Sequence, residues 1–148
     1  MHYRKANNKD IDSLSQLFNN YRVFYKKESD IEGAKKFLSE RLKNEDSEIY
    51  VAENDSSELI GFVQLYPLFS STRMKKCWLL NDLYVHPEHR SKGISINLIS
   101  KAKELVKKTN AYGMFLETEK SNVVGNNLYP KTGFELNEAS NFYEWTVE

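Results

Sequence analysis

Leu83-Tyr84-Val85-His86-Pro87-Glu88-His89-Arg90-Ser91-Lys92-Gly93-Ile94-Ser95 puts an apolar strand end, a basic glycine-containing turn and a helix start in immediate succession. A helix start leaves its first amides unpaired and carries about half a positive charge, so it attracts anions. Gly93 removes the side chain where a phosphate would have to approach the backbone closely. Arg90 and Lys92 add positive charge at the same point. The pattern is a pyrophosphate cradle that needs no metal; the competing reading is a solvated loop with a glycine near a helix start. Two other phosphate motifs are absent. There is no Gly-x-x-x-x-Gly-Lys-[Ser/Thr] loop and no Gly-x-Gly-x-x-Gly fingerprint.

Working outward, Cys77-Trp78-Leu79-Leu80-Asn81-Asp82-Leu83-Tyr84-Val85 is mostly apolar without alternation, which predicts a strand covered on both faces. Downstream, Ile94, Leu98, Ala102, Leu105 and Val106 form a helical stripe, with Lys101, Lys103, Glu104, Lys107 and Lys108 outside it. Residues 112–118 read as a strand, so strand, helix and strand form a crossover with the two strands parallel. Upstream, residues 48–53 and 59–66 are strands separated by a turn at 54–57, the second expected to stop at Pro67. A polar loop at 70–76 joins them to residues 77–85 in an antiparallel meander. Residues 2–6 are a short strand. Ile11, Leu14, Leu17, Phe18 and Tyr21 mark a helix from Asp10. Ser29-Asp30-Ile31-Glu32 has the capping-box pattern and opens a second helix, continued by Ala34, Phe37, Leu38, Arg41 and Leu42. Residues 122–129 read as a short helix and 142–147 as a closing strand. The expected fold is α/β (α+β layered): one domain over residues 1–148, with a mixed, mostly antiparallel sheet flanked by helices.

Composition narrows the function. A chain of 148 residues fits one domain. Lys plus Arg (21) balances Asp plus Glu (21), so no global field draws nucleic acid or an anionic membrane. Cys77 is the only cysteine, which excludes an intramolecular disulfide and a thiolate zinc site and suits a reducing compartment. The N-terminus lacks the apolar run of a signal peptide, and no stretch approaches the ~20 apolar residues of a membrane span. A cytoplasmic protein is expected.

Residues 83–95 resemble motif A of the GCN5-related N-acetyltransferase (GNAT) superfamily. Its phosphate loop, Arg/Gln-x-x-Gly-x-Gly/Ala, stands here as Arg90-Ser91-Lys92-Gly93-Ile94-Ser95. A second segment, Asn122-Val123-Val124-Gly125-Asn126-Asn127-Leu128-Tyr129-Pro130-Lys131-Thr132-Gly133-Phe134, resembles the family's Asn…Leu-Tyr-x-x-x-Gly-Phe. The element order matches from Tyr3 to the C-terminus. The resemblance implies the acyl-CoA N-acyltransferase fold and acetyl-CoA (coenzyme A) as co-substrate, with no metal. It implies transfer of the acetyl group by direct attack of a primary amine, on a small molecule, an amino-acid derivative or a protein. It also implies a wedge between two splayed central strands for the pantetheine arm, bordered by backbone groups of Leu83, Tyr84 and Val85. The amides of Arg90, Ser91, Lys92, Gly93, Ile94 and Ser95 would hold the pyrophosphate. Asn122 would contact the cofactor, and the Tyr129 hydroxyl would point at the sulfur. Homodimers are common in the superfamily, although nothing in the sequence specifies one. Two residues depart from the pattern: Ser95 replaces Gly or Ala, and Pro130 follows Tyr129, pushing it away from helical geometry.

Such a reaction needs a base for the ammonium, a donor to the thioester oxygen and an acid for the leaving thiolate. Tyr129 is the candidate acid, since a phenol of pKa ~10 stays protonated at neutral pH; its competing reading is a core aromatic at a helix end. An amide of residues 83–85 is placed to polarise the oxygen. Asp82 is the first choice of base, because a carboxylate in an apolar strand is desolvated and more basic. Its competing reading is a structural carboxylate bonded to amides or a lysine. The superfamily's polyamine-type members carry an acidic pair at this point; here it stands as Asn81-Asp82, so one charge is missing. Glu117 is the second choice. Tyr21, Phe24 and Tyr25 either line the acceptor cleft or pack between the first two helices. Arg73, Lys75 and Lys76 would repel a polyamine if they faced that cleft. His86 and His89 sit three apart but lack a nearby third ligand, so a metal pair is not expected. A catalytically silent acyl-CoA sensor is the alternative from another class, separated from the enzyme by acceptor-dependent thiol release.

Overall fold

In a computed structural model that describes residues 1–148, the strand and helix periods settle into nine principal elements. These are β1 (His2–Lys5), α1 (Ile11–Phe24), α2 (Ile31–Asn44), β2 (Glu48–Glu53), β3 (Leu59–Ser70), β4 (Lys75–Val85), α3 (Ile94–Lys108), β5 (Met114–Phe115) and α4 (Val123–Lys131). The chain divides into two compact units, Met1–Glu117 and Thr118–Glu148. The first holds a five-stranded sheet in the order β1-β2-β3-β4-β5. Its first three pairings are antiparallel and β4–β5 is parallel, so the crossover through α3 is present.

One face of the sheet lies against α1 and α2. Leu14, Leu17 and Phe18 of α1 and Ala34 and Leu38 of α2 pack with Ile49, Val51, Phe62 and Tyr84 of the strands. Helix α3 buries Ile94, Leu98, Ile99, Ala102 and Leu105 and packs on β2, β3 and β4. The central strands are covered as their unbroken apolar sequence predicts. Along β4 only Lys75, at its start, and Asn81 are exposed.

Five local readings are corrected. β3 does not stop at Pro67: it runs on to Ser70 and pairs with β4 to its end. β2 pairs with β3 only as far as Leu65, so Pro67 lies where a ladder exists on one side only and a missing N–H is tolerated. Helix α2 is capped by Asp30, whose carboxylate accepts the Gly33 amide at 2.8 Å, and not by Ser29. The Ser29 hydroxyl instead takes a hydrogen bond from Asn19 of α1, which also accepts the Asp30 amide. Pro130 does not break the helix at Tyr129, since α4 includes it and ends at Lys131. Residues 142–147 form no strand, and the strand at 112–118 shrinks to β5.

The N-terminal corner carries a tight ion-pair group. Arg4 of β1 donates to both oxygens of Asp10 at 2.8 Å and to Glu53 of β2 at 2.6 Å. Asp10 is nearly buried and also accepts the Asn7 amide. The Arg4 hydrogen bond holds its carboxyl below the ordinary 3.8. A depressed folded pKa stabilises above the unfolded pKa, and that contribution is lost as pH falls through the folded value. Arg4→Met leaves Asp10 charged without its partner. It should lose about 2–3 kcal/mol at pH 7, allowing for the partial exposure of Arg4. In urea unfolding the gap to wild type should narrow as pH falls below the ordinary 3.8.

Candidate active site

The site begins where β4 and β5 part. Their ladder consists of Trp78↔Met114 and Leu79↔Phe115 and goes no further. From Leu80 to Val85, therefore, β4 keeps β3 as its partner but loses β5. Backbone groups of Leu83, Tyr84 and Val85 border this opening. The Val85 carbonyl is taken, because Arg90 Nε donates to it at 2.9 Å.

A register shift places Asp82. Gln64 stands opposite Asp82, but Leu65 stands opposite Leu80, so Asn81 is an extra residue on β4. The bulge puts Leu80 and Asp82 on opposite faces and turns Asp82 with Gln64, Phe62 and Tyr84 toward the α1–α2 side. Asp82 is only 4% exposed. Its carboxylate accepts Gln64 Nε2 at 2.8 Å and Asn81 Nδ2 at 3.0 Å, and it is hydrogen-bonded by Tyr21. Ser47 donates to Gln64 Oε1 at 2.9 Å, which fixes the amide with its NH₂ toward Asp82. Burial raises the Asp82 pKa above 3.8, and the three donors only partly oppose it. The same burial, helped by the charge of Asp82, pushes Tyr66 up to about 12. Gln64 and Ser47 are functional candidates that sequence reasoning missed. The available signal was a glutamine inside an otherwise apolar strand.

Beyond β4, a 3-10 turn at Pro87–His89 redirects the chain. Ser91 (φ 62°) and Gly93 (φ 75°) then adopt left-handed backbone. Gly93 is the N-cap of α3 and supplies no side-chain cap. No backbone carbonyl or side chain accepts the amides of residues 91–96; the first helical bond is Asn97 N–H to Gly93 O. The Arg90 amide differs, being spent on Pro87 O at 3.3 Å. A Cβ on Gly93 would meet nothing within 4 Å, so the protein itself requires glycine there for its positive φ and leaves the approach to the backbone open. The Arg90 guanidinium does not lie over the helix start. It lies 5.5 Å from the Phe24 ring centre and 5.6 Å from that of Tyr84. Lys92 Nζ donates to Glu88 O at 3.3 Å.

The C-terminal end of α1 borders the same region. The Tyr21 ring makes edge contacts with Phe62, Tyr84 and Tyr25, while Phe24 and Tyr25 are exposed. Tyr21 is therefore both a packing residue and a partner of Asp82. Arg73, Lys75 and Lys76 lie at the far end of the β3–β4 hairpin, about 20 Å or more along β4 from Asp82, and so do not face it. Glu117 is exposed and lies beyond the end of β5. Glu88 does join His86 and His89, with one donor atom from each within 4.8 Å. The expectation that the two histidines lack a nearby third ligand is therefore corrected.

In the second unit, Asn122 caps α4, accepting the Gly125 amide at 3.1 Å and donating to Thr118 Oγ1 at 2.9 Å. The Leu-Tyr-x-x-x-Gly-Phe segment is a helix terminator. Gly133 (φ 85°) bonds Pro130 O and the Phe134 amide bonds Tyr129 O, a Schellman arrangement. The Phe134 ring meets the Tyr129 ring edge-on at 5.7 Å, which orients the tyrosine.

Comparison with known proteins places these features. The profile of the Acetyltransferase (GNAT) family matches residues 12–134. The uncharacterized N-acetyltransferase YhfO of Bacillus subtilis is 44% identical over 135 residues, covering 91% of this chain and 90% of that protein. A probable acetyltransferase of Haemophilus influenzae is 30% identical over 143 residues, covering 97% and 96%. A crystal structure of a probable acetyltransferase superposes with a TM-score of 0.95 at 36% identity, covering 100% of this chain and 99% of that one. At 19% identity and a TM-score of 0.78, a predicted acetyltransferase from Clostridium acetobutylicum, solved with acetyl-CoA, shares the fold and covers 97% and 95%.

Proposed function

Because the chain belongs to the acetyltransferase (GNAT) family, we propose that it moves an acetyl group from acetyl-CoA to a primary amine, its 148 residues acting as one N-acetyltransferase domain in the cytoplasm. The observation that carries the coenzyme reading is the row of unpaired amides at residues 91–96, at the end of a strand that has parted from its neighbour. Successive free N–H groups at a helix start suit a diphosphate, and the exposed β4 edge suits an amide-bearing pantetheine arm. The acetyl-CoA bound to the Clostridium acetobutylicum protein is in keeping with this.

In this reading the acceptor ammonium enters beside the end of α1, between Phe24 and Tyr25. Asp82 receives its proton, relayed by the Tyr21 hydroxyl, which accepts from the nitrogen as it donates to the carboxylate. The neutral amine then attacks the thioester carbonyl while an amide of residues 83–85 stabilises the developing oxyanion. The C–S bond breaks, the Tyr129 hydroxyl protonates the thiolate, and the proton that the attacking nitrogen sheds in becoming an amide restores the phenol. Asn122 contacts the coenzyme. Glu117, exposed and without a desolvated setting, is the weaker choice of base. The acceptor is a small amine, an amino-acid derivative or a protein amine.

Calorimetric titration with CoA and thiol release with an amine panel test the reading together. CoA should bind, and release should depend on an amine. Tyr129→Phe should lower kcat about a hundredfold while KM for acetyl-CoA stays within about twofold, since an acid is removed and not a binding group. CoA binding without release across a broad panel would turn the reading toward a silent acyl-CoA sensor.

A further inference from the structure

The turn that follows β4 gathers three polar side chains that the rest of the chain leaves unused. His86 comes directly after the last residue of β4, and its amide bonds Ile60 O of β3 at 2.8 Å. The 3-10 turn Pro87–His89 is closed by the His89 amide on His86 O at 2.9 Å and the Arg90 amide on Pro87 O at 3.3 Å. Those bonds fold the chain back on itself. The rings of His86 and His89 therefore meet, with centres 5.9 Å apart and planes inclined at 62°, and Glu88 joins them.

The partners these groups would ordinarily have are missing. His86 Nδ1 is the one buried side-chain nitrogen or oxygen of the chain without a hydrogen-bond partner. Buried polar atoms are paired almost without exception, so an orphan of this kind points to a partner from outside the chain. The Glu88 carboxylate has two cations close in sequence, Arg90 and Lys92. Yet Arg90 Nε donates to Val85 O, and Lys92 Nζ donates to the backbone oxygen of Glu88, so the carboxylate keeps its charge unpaired.

Two imidazoles and a carboxylate are a ligand set for a divalent first-row transition metal, unlike the all-oxygen shells of calcium and magnesium. One donor atom from each residue lies within 4.8 Å of the other two. Three atoms so placed leave a point no farther than about 2.8 Å from each, so small side-chain rotations reach the bonds of about 2.0–2.2 Å that zinc makes to His and Glu. Glu88 is exposed and both histidines are half-buried, which gives an ion a way in and lets water complete a tetrahedron.

We propose that His86, Glu88 and His89 bind a divalent transition-metal ion, with zinc as the reference case, and that the ion clasps the end of β4 to the turn that leads into α3. The acetyl transfer proposed above uses none of these three side chains, so the site and that activity stand or fall separately.

Protein stripped with a chelator and titrated against a chromophoric zinc indicator should take up one zinc ion with a Kd of about 1 µM or tighter. His89→Ala and Glu88→Gln should each weaken uptake at least about tenfold. His2 is the only other histidine, and His2→Ala should leave uptake unchanged. Imidazole nitrogen spectra of the wild type guard against misfolded variants: zinc should move the ring signals of His86 and His89 and not those of His2. A wild type that takes up no zinc at about 100 µM overturns the proposal. So does uptake that survives His89→Ala combined with Glu88→Gln, or uptake lost in His2→Ala, which would be adventitious binding at the N-terminus. Unmoved ring signals of His86 and His89 in zinc-loaded protein overturn it as well.

Discussion

Asp82→Asn should lower kcat/KM about two to four orders of magnitude while CoA affinity stays within about twofold, as expected when a positioned base is removed. The carboxylate is buried and hydrogen-bonded by Gln64, Asn81 and Tyr21, and burial lifts its pKa above 3.8. The acid limb of the kcat/KM profile should therefore lie above the ordinary carboxylate range. Folding should not be the cause of the loss. A raised folded pKa contributes stability below the unfolded value of 3.8, and that contribution disappears as pH rises through the folded value. At neutral pH the wild type thus bears the cost of a buried charge that asparagine lacks. Gln64→Leu gives the sharper control, because it removes a donor that favours the charged form and should move the acid limb further upward. An unmoved limb would mean that Asp82 is not the titrating base. A larger loss from Glu117→Gln than from Asp82→Asn would transfer the role to Glu117.

Gly93→Glu should weaken CoA binding at least about a hundredfold in calorimetric titration with the fold retained. Two effects combine. A side chain at φ 75° costs about 1–2 kcal/mol, and a carboxylate at the mouth of the amide row opposes a diphosphate. Gly93→Ala separates them: its Cβ meets no protein atom within 4 Å, so it carries the backbone strain without the charge. Alanine should lie between wild type and glutamate, and added salt should narrow the gap between the two variants. Equal CoA affinity for Gly93→Glu and wild type would place the diphosphate elsewhere.

The helices and central strands were legible because their signals are local. The stripe Ile94, Leu98, Ala102 and Leu105 is buried in α3, and residues 77–85 form the core strand that their unbroken hydrophobicity predicts. Boundaries set by partners were not legible. Pro67 looks like a strand terminator until it is known that β2 has already ended beside it. Ser29 and Asp30 are both good caps by type, and the choice depends on Asn19, ten residues away in α1. Gln64 and Ser47 passed unnoticed because their value lies in facing Asp82 across a ladder. Arg90 was read as charge for a phosphate, whereas its side chain turns back onto Val85, Phe24 and Tyr84.

By itself the sequence determined the types of the helices and central strands, the order that makes a mixed sheet, and the turn from Arg90 to Ser95 that opens α3. Each of these follows from hydrophobic period, from backbone freedom at glycine or from unpaired amides at a helix start, and all act within a few residues. Tertiary structure alone decided that β5 leaves β4 after two pairs, that a bulge at Asn81 buries Asp82 beside Gln64 and Tyr21, and that residues 142–147 form no strand. Those outcomes depend on which strand edge is already occupied and on which side chains meet across it, and no local pattern encodes that.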